Sequence, residues 1–426
     1  MTAHLWGLGR LQALIDDHSI ENVNINGCDQ VWIIYADGLK VRGDPVADTN
    51  EELMWVAAAR LGQHERRFDL GSPQLDLRLP DGTRLSAVMS VCERPSVSLR
   101  RHRHQDLTLD DLVGLGMLSP DLARWLAAAV RAGLNILVSG EQNVGKSTLL
   151  RALAAVIEPG ERIVTVETAL ELGLDRQARH PDAVALEARP ANVEGVGEVS
   201  MRSLVERTRR MNADRVIVGE VMGDEVVVML SAMTQGGGGN MATVHADSSA
   251  GVFRRLATYA IQAREHLPIE ATNLAVAEAI DLVVHVERRA ARSGGGRGGL
   301  ERFIASVREV VDAEGQVVHS NEVWRPGPDG RAVPGVPLTT KTLDALLDAG
   351  YRPARAWSAM RTVAGVSIAF VVLAAVARGF LAPYSSVGGQ MVLGGVGACF
   401  ALGLWLMSSM VRSRRPERFL HGSVGR

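Results

Sequence analysis

Residues Gly140-Glu141-Gln142-Asn143-Val144-Gly145-Lys146-Ser147-Thr148 carry a G-x-x-x-x-G-K-S pattern. It sits between an apolar run, Ile136 to Ser139, and a helical segment expected to begin near Thr148. That order is what an anion-binding loop requires. Glycines let the main chain curl so that successive N–H groups face one point, and the helix N-terminus adds partial positive charge there. Lys146 can neutralise β- and γ-phosphate oxygens, and the Ser147 hydroxyl can ligate Mg²⁺. A phosphate loop also needs carboxylates for the metal and for the attacking water. Val216-Ile217-Val218-Gly219-Glu220 is an apolar run closing on a carboxylate, a Walker-B-like position with Glu in place of the commoner Asp. Arg162-Ile163-Val164-Thr165-Val166-Glu167 is another, with Glu171 four residues on. In an open parallel sheet, ligands bind at the carboxyl ends of strands, where Glu167 and Glu220, with Ser147, become metal-ligand candidates. Gln235 to Asn240 encloses four consecutive glycines, and His245 follows, where it serves either as a γ-phosphate sensor or as an ordinary structural histidine. Such a glycine run permits a mobile loop or a close backbone approach.

The elements that must hold these residues are legible in outline. At 426 residues the chain is too long for one core, and two or three domains are expected. Residues 1–105 read as a mixed α/β domain. Leu8 to Asp17 and Glu51 to Leu61 have helical spacing, Val31 to Tyr35 reads as a strand, and Asp76 to Leu85 as a hairpin around Pro-Asp-Gly. Arg100 to His104 reads as a basic linker. Residues 106–290 alternate helices and strands, the pattern of a largely parallel sheet covered on both faces. Its strand candidates are Ile136–Ser139, Arg162–Glu167, Ala183–Glu187, Val216–Glu220, Thr243–His245 and Leu282–Val286. Residues 291–351 start in a Gly-rich loop and continue as a small hairpin near 302–324 and a short helix, Thr340 to Ala349.

Residues 352–426 differ in kind. Val363 to Ala377, extendable to Leu381, and Met391 to Val411 are apolar runs. Arg355 and Arg361 precede them, and Arg412, Arg414, Arg415 and Arg418 follow; the loop between the runs is uncharged. Basic ends around a neutral turn are the signature of a membrane hairpin with both termini cytoplasmic. Arg378 falls near the outer end, where it can snorkel. The net charge of −2 gives no global argument for nucleic acid. Cys28, Cys92 and Cys399 are too few and too scattered for a disulfide framework or a zinc site. The first residues turn acidic too early for a secretory signal.

Together, Gly140 to Thr148, Glu167 with Glu171-Leu172, Arg189 to Gly195, Asp214 to Val221 and Met241 to Ala246 resemble the type II/IV secretion-system ATPases. Of these, the CpaF-type ATPases of Tad (Flp) pilus assembly are the most similar branch. The resemblance spans roughly residues 5 to 325. It implies a RecA-like P-loop NTPase domain with a smaller N-terminal α/β domain, ATP and Mg²⁺ as cofactors, and a homohexameric ring. It further implies an inner-membrane platform protein as partner, a pilin or secreted protein moved indirectly, and a place at the cytoplasmic face of the membrane. Glu167 falls in the family's Asp box, Glu220 in Walker B and His245 in the His box. Arg100 or Arg101, Arg202 and Arg210 fall where the family has arginines that meet phosphate or a neighbouring subunit. The family loop usually reads G-x-T-G-S-G-K-T. Here Thr168 replaces an acidic residue, Gly237 a histidine, and Met222 and Asn212 two arginines. A motor is therefore expected, and a low-turnover nucleotide-binding scaffold is the alternative. DNA translocation has less behind it, because no basic patch interleaved with aromatics is present.

Overall fold

A computed structural model of the chain describes residues 9–35, 39–58, 68–79, 82–101, 106–191, 195–235, 237–290 and 300–352. The first part contains α1 (Leu11–Asp16), β1 (Ile20–Asn26), β2 (Gln30–Tyr35), β3 (Lys40–Gly43), α2 (Asn50–Ala58), β4 (Gln74–Arg78), β5 (Arg84–Val88) and β6 (Ser96–Arg100). The strands form one antiparallel sheet in the order β3-β2-β1-β6-β5-β4. Alternation supplies its apolar face: Val23 and Ile25, Leu85 and Ala87, Val97 and Leu99 are buried, with Leu11, Ile15 and Leu53 from the two helices. Each Val, Leu or Ile side chain among them contributes roughly 1.5–3 kcal/mol when fully buried. Arg100 ends strand β6, paired to Asn22 and Arg84, so it does not open a linker as its basic neighbours suggested. Residues 102–105 lie outside the described residues.

The second part begins with α3 (Leu109–Gly114), whose Thr108–Asp111 capping box fixes its start, and then α4 (Pro120–Arg131). There follow β7 (Ile136–Gly140), α5 (Lys146–Ala154), β8 (Ile163–Glu167), β9 (Ala183–Glu187), α6 (Met201–Thr208), β10 (Arg215–Val221), α7 (Glu225–Gln235), β11 (Met241–His245), α8 (Gly251–Gln262) and α9 (Ile269–Ala279). Last come β12 (Leu282–Ala290), β13 (Leu300–Glu314), β14 (Val317–Pro326), β15 (Ala332–Pro334) and α10 (Thr340–Asp348). A nine-stranded sheet runs β15-β14-β13-β12-β7-β11-β10-β8-β9. The run from β12 to β9 is parallel. The β13–β15 end is antiparallel and extends the same sheet. Strands β7 and β8 are buried at every residue, as expected where helices cover both faces of a parallel sheet.

Helices α4 and α10 form a second compact unit in which they pack against each other. The apolar residues of α4 recur at helical spacing, with Leu122, Trp125, Leu126, Ala129 and Val130 buried. Among the described residues no helix is long and apolar enough to cross a membrane. The hairpin expected at 363–411 lies outside the described residues.

Candidate active site

The phosphate loop is built by local backbone geometry. Gly140 has φ +149°, and a Cβ there would stand 2.3 Å from the carbonyl oxygen of Val286 on the neighbouring strand β12. Only glycine lets β7 approach so closely. Gly145, at φ +100°, caps the helix, which starts at Lys146. That is two residues earlier than expected, because the left-handed glycine turns the chain directly into α5. The first helical N–H groups therefore belong to the loop itself. Asn143 stands where the family pattern has glycine. Its φ is +61°, a left-handed conformation that asparagine tolerates better than most side chains. Two arginines hold it. Arg100 Nη2 donates to Asn143 Oδ1 at 3.2 Å, and Arg302 Nε donates to the Asn143 carbonyl at 3.2 Å. Glu141, Gln142 and Asn143 are exposed, Val144 is buried, and Ser147 and Thr148 are half-buried.

Lys146 is 7 % exposed. Its Nζ donates to the carbonyls of Gly140 at 3.1 Å and Glu141 at 2.9 Å, and meets His245 Nδ1 at 3.1 Å. Glu220 Oε1 lies 3.8 Å away. Burial pulls the lysine below its ordinary range, and Glu220 opposes the shift. An ammonium has only hydrogens to offer, so His245 Nδ1 accepts. The proton is then on Nε2, which donates to Glu220 Oε1 at 2.8 Å. Strand order explains the convergence. His245 is in register with Gly140 on the adjacent strand, and Glu220 comes from the next strand over. Between Val218 and Val221 the β10–β11 register slips, a bulge that re-aims Glu220.

Glu167 is placed differently. It is 2 % exposed. Its carboxylate accepts from the main-chain N–H groups of Glu171 at 2.7 Å and Leu172 at 2.8 Å, and from the Thr165 hydroxyl at 3.0 Å. Burial pushes its carboxyl up, against those three donors. Its side chain packs on Gly219, where a Cβ would come within 3.0 Å of Glu167 Cγ. Glu171 in turn forms an ion pair with Arg84 of β5, so this loop ties to the antiparallel sheet.

The glycine run makes a close backbone approach. A Cβ on Gly238 would stand 2.3 Å from the Gly133 carbonyl oxygen. Gly239, at φ +89°, leaves room for the Arg215 guanidinium, which pairs with Glu161. Asn135 organises this corner. Its Oδ1 accepts from the N–H groups of Gly239 and Asn240 and from Asn240 Nδ2, while its own Nδ2 donates to the carbonyls of Met233 and Ala279. Asn240 Oδ1 then accepts from Val216 N–H at the start of β10. This satisfied network sets the entry of the strands carrying Glu220 and His245. Sequence reasoning missed both asparagines; an asparagine closing a glycine run was the only local signal. His285, on β12, was missed as well. Its Nδ1 lies 3.0 Å from Ser139 Oγ, and burial lowers its pKa to about 4.

The remaining candidates sit apart from the Lys146 cluster. Arg202 pairs with Glu265 and, at 3.3 Å, with Glu206 on its own helix α6. Arg210 is exposed just past that helix. No group of three or more His, Cys, Asp or Glu suited to a metal occurs among the described residues.

Comparison with known proteins bears on this arrangement. A family model described as "Type II/IV secretion system protein" matches residues 6–321. A putative conjugal transfer protein of Mycobacterium tuberculosis is 36% identical over 333 residues, covering 76% of this chain and 90% of the relative. The type IV secretion system protein PtlH of Bordetella pertussis is 31% identical over 311 residues, covering 66% of this chain and 90% of its own. Among solved structures, the Legionella pneumophila ATPase DotB superposes with a TM-score of 0.51 at 17% identity. It covers 70% of this chain and 79% of that one, a likeness of fold.

Proposed function

The chain belongs to the type II/IV secretion system protein family and is an ATPase; from that premise we propose that it is the ATP-hydrolysing motor of a protein-secretion, conjugal-transfer or Tad-like pilus machine. The observation that carries the reading is the cluster of Lys146, at the start of the helix after the phosphate loop, with His245 and Glu220 from two adjacent parallel strands. Lys146 exchanges its two carbonyl acceptors for β- and γ-phosphate oxygens. As Lys146 turns to the phosphates it also leaves His245 Nδ1, so that His245 keeps only its contact with Glu220, and Glu220 orients the attacking water. Ser147 and Glu220 would hold Mg²⁺, which supplies charge neutralisation on the phosphates when bound. Glu167 holds the loop at Glu171 and Leu172 and so shapes the wall beside Glu220.

In this reading the subunits form a hexameric ring at the cytoplasmic face of the membrane, against an inner-membrane platform protein. Arg202 and Arg210 serve the site of a neighbouring subunit, Arg202 after leaving Glu265. The apolar runs within residues 363–411, which lie outside the described residues, would be each subunit's membrane anchor. One observation favours a second reading, a scaffold that binds nucleotide with little turnover: the Glu167 carboxylate already accepts three hydrogen bonds, leaving Glu220 as the one carboxylate in the Lys146 cluster where two were expected. Steady-state hydrolysis of ATP by the full chain, with and without Mg²⁺, separates them. Mg²⁺-dependent multiple turnover supports the motor. Nucleotide binding without turnover supports the scaffold.

A further inference from the structure

The phosphate loop has a basic neighbour that the family motifs do not include. Arg302, on β13, donates from Nε to the Asn143 carbonyl at 3.2 Å. Its Cδ lies 3.5 Å from where a Cβ on Gly145 would stand, so the side chain runs along the loop from 143 to 145. Its two terminal amines enter no hydrogen bond or ion pair among the described residues. The basic residues around it are otherwise engaged. Arg289 and Arg331 share Glu301, at 2.9 and 3.2 Å, and both lie over the Phe303 ring.

Strand register sharpens the contrast. Arg289 faces Glu301 across β12–β13, an attractive pair. The next pair is Arg288 facing Arg302. Directly opposed residues share a face of the sheet, and like charges there are destabilising. Arg288 is exposed and has no ion-pair partner among the described residues. The fold alone would favour a carboxylate at either position. Two exposed guanidinium groups therefore share one face of the sheet, one of them anchored on the phosphate loop.

We propose that Arg302, with Arg288 beside it, is a phosphate subsite that contacts the polyphosphate chain of the bound nucleotide and favours triphosphate over monophosphate. The proposal rests on the ATPase reading and deepens it. Anchoring Nε on a loop carbonyl fixes the plane of the guanidinium. The remaining amines then meet phosphate oxygens with little further loss of rotamer freedom. The loop holds the arginine and the arginine holds the anion, so the subsite exists only while Asn143 keeps its left-handed conformation.

The test is equilibrium binding of AMP, ADP and a non-hydrolysable ATP analogue to the full chain, as wild type, Arg302→Ala, Arg302→Lys and Arg288→Ala. Melting temperatures are measured without nucleotide. The subsite predicts that Arg302→Ala weakens the triphosphate roughly tenfold or more, ADP less and AMP least. Arg302→Lys should fall in between and Arg288→Ala should show the same order with smaller losses, all at unchanged melting temperature. Equal losses for AMP and the triphosphate would overturn it, as would unchanged affinity in Arg302→Ala, or losses that only track a lower melting temperature. Wild-type protein that bound no nucleotide would remove the ATPase premise as well; binding by wild type with no effect of Arg302 removes the subsite alone.

Discussion

At the scale of residues, the two candidate carboxylates differ in what already holds them. Glu220 faces a lysine and a histidine. Glu167 faces two N–H donors of its own loop and the Thr165 hydroxyl of its own strand, and is buried. A carboxyl raised by burial favours the folded state at low pH, and that advantage is lost as the pH climbs past its folded value. Glu167→Gln keeps an acceptor for both N–H groups and removes the charge. Its melting temperature should exceed wild type at pH 8, and the gap should close as the pH is lowered toward the carboxyl range. Glu167→Ala leaves two buried N–H groups unpaired and should cost roughly 1–3 kcal/mol. A destabilised Glu167→Gln at pH 8 would contradict this account of the loop. The sequence pointed to Lys146, Glu220 and His245 because phosphate chemistry dictates their types and strand ends dictate their places. It was silent on Asn135, Asn240 and Arg302, because each acts on residues distant in the chain: 105 positions separate Asn135 from Asn240 and 159 separate Arg302 from Asn143.

Among elements, those with strong periodicity or flanking turns were legible. The β9 strand has the expected bounds, Ala183–Glu187, and the hairpin β13–β14 encloses the expected 302–324. Strand β1 was not read as a strand from its pattern, because a register shift between Ile20 and Asn22 breaks the alternation that marks half-buried strands. The glycine run was read as loop or close approach, and Gly238 against Gly133 shows the latter. A testable consequence belongs to the joint between β7 and β12. His285 is buried there beside Ser139, with its pKa lowered from an ordinary 6.5 to about 4. A depressed histidine contributes stability that is full above 6.5 and is lost as the pH falls toward about 4. Thermal melts across that window should fall more steeply for wild type than for His285→Gln. Parallel curves would contradict the assignment.

For the whole molecule, the proposed motor requires a ring and a membrane as well as a hydrolytic site. A hydrophobic run of ~20 residues spans a bilayer core, so residues 363–411 should keep the full chain in the membrane fraction after a carbonate wash. Removal of residues 352–426 should release it. Full-length protein in the soluble fraction would contradict the anchor. Mass measurement of the protein lacking those residues should show a closed oligomer, promoted by nucleotide; monomers at every concentration would contradict the ring. Arg202→Ala should lower turnover more than affinity, and equal losses would return Arg202 to a purely structural pairing with Glu265. The central claim is that Lys146 binds the phosphates while Glu220 acts on the bound nucleotide. Its most direct test measures ATP binding and single-turnover hydrolysis side by side for wild type, Lys146→Ala and Glu220→Gln. The account predicts that Lys146→Ala loses binding and that Glu220→Gln binds ATP as wild type does but hydrolyses it ~10²-fold or more slowly. Hydrolysis by Glu220→Gln at the wild-type rate would contradict it.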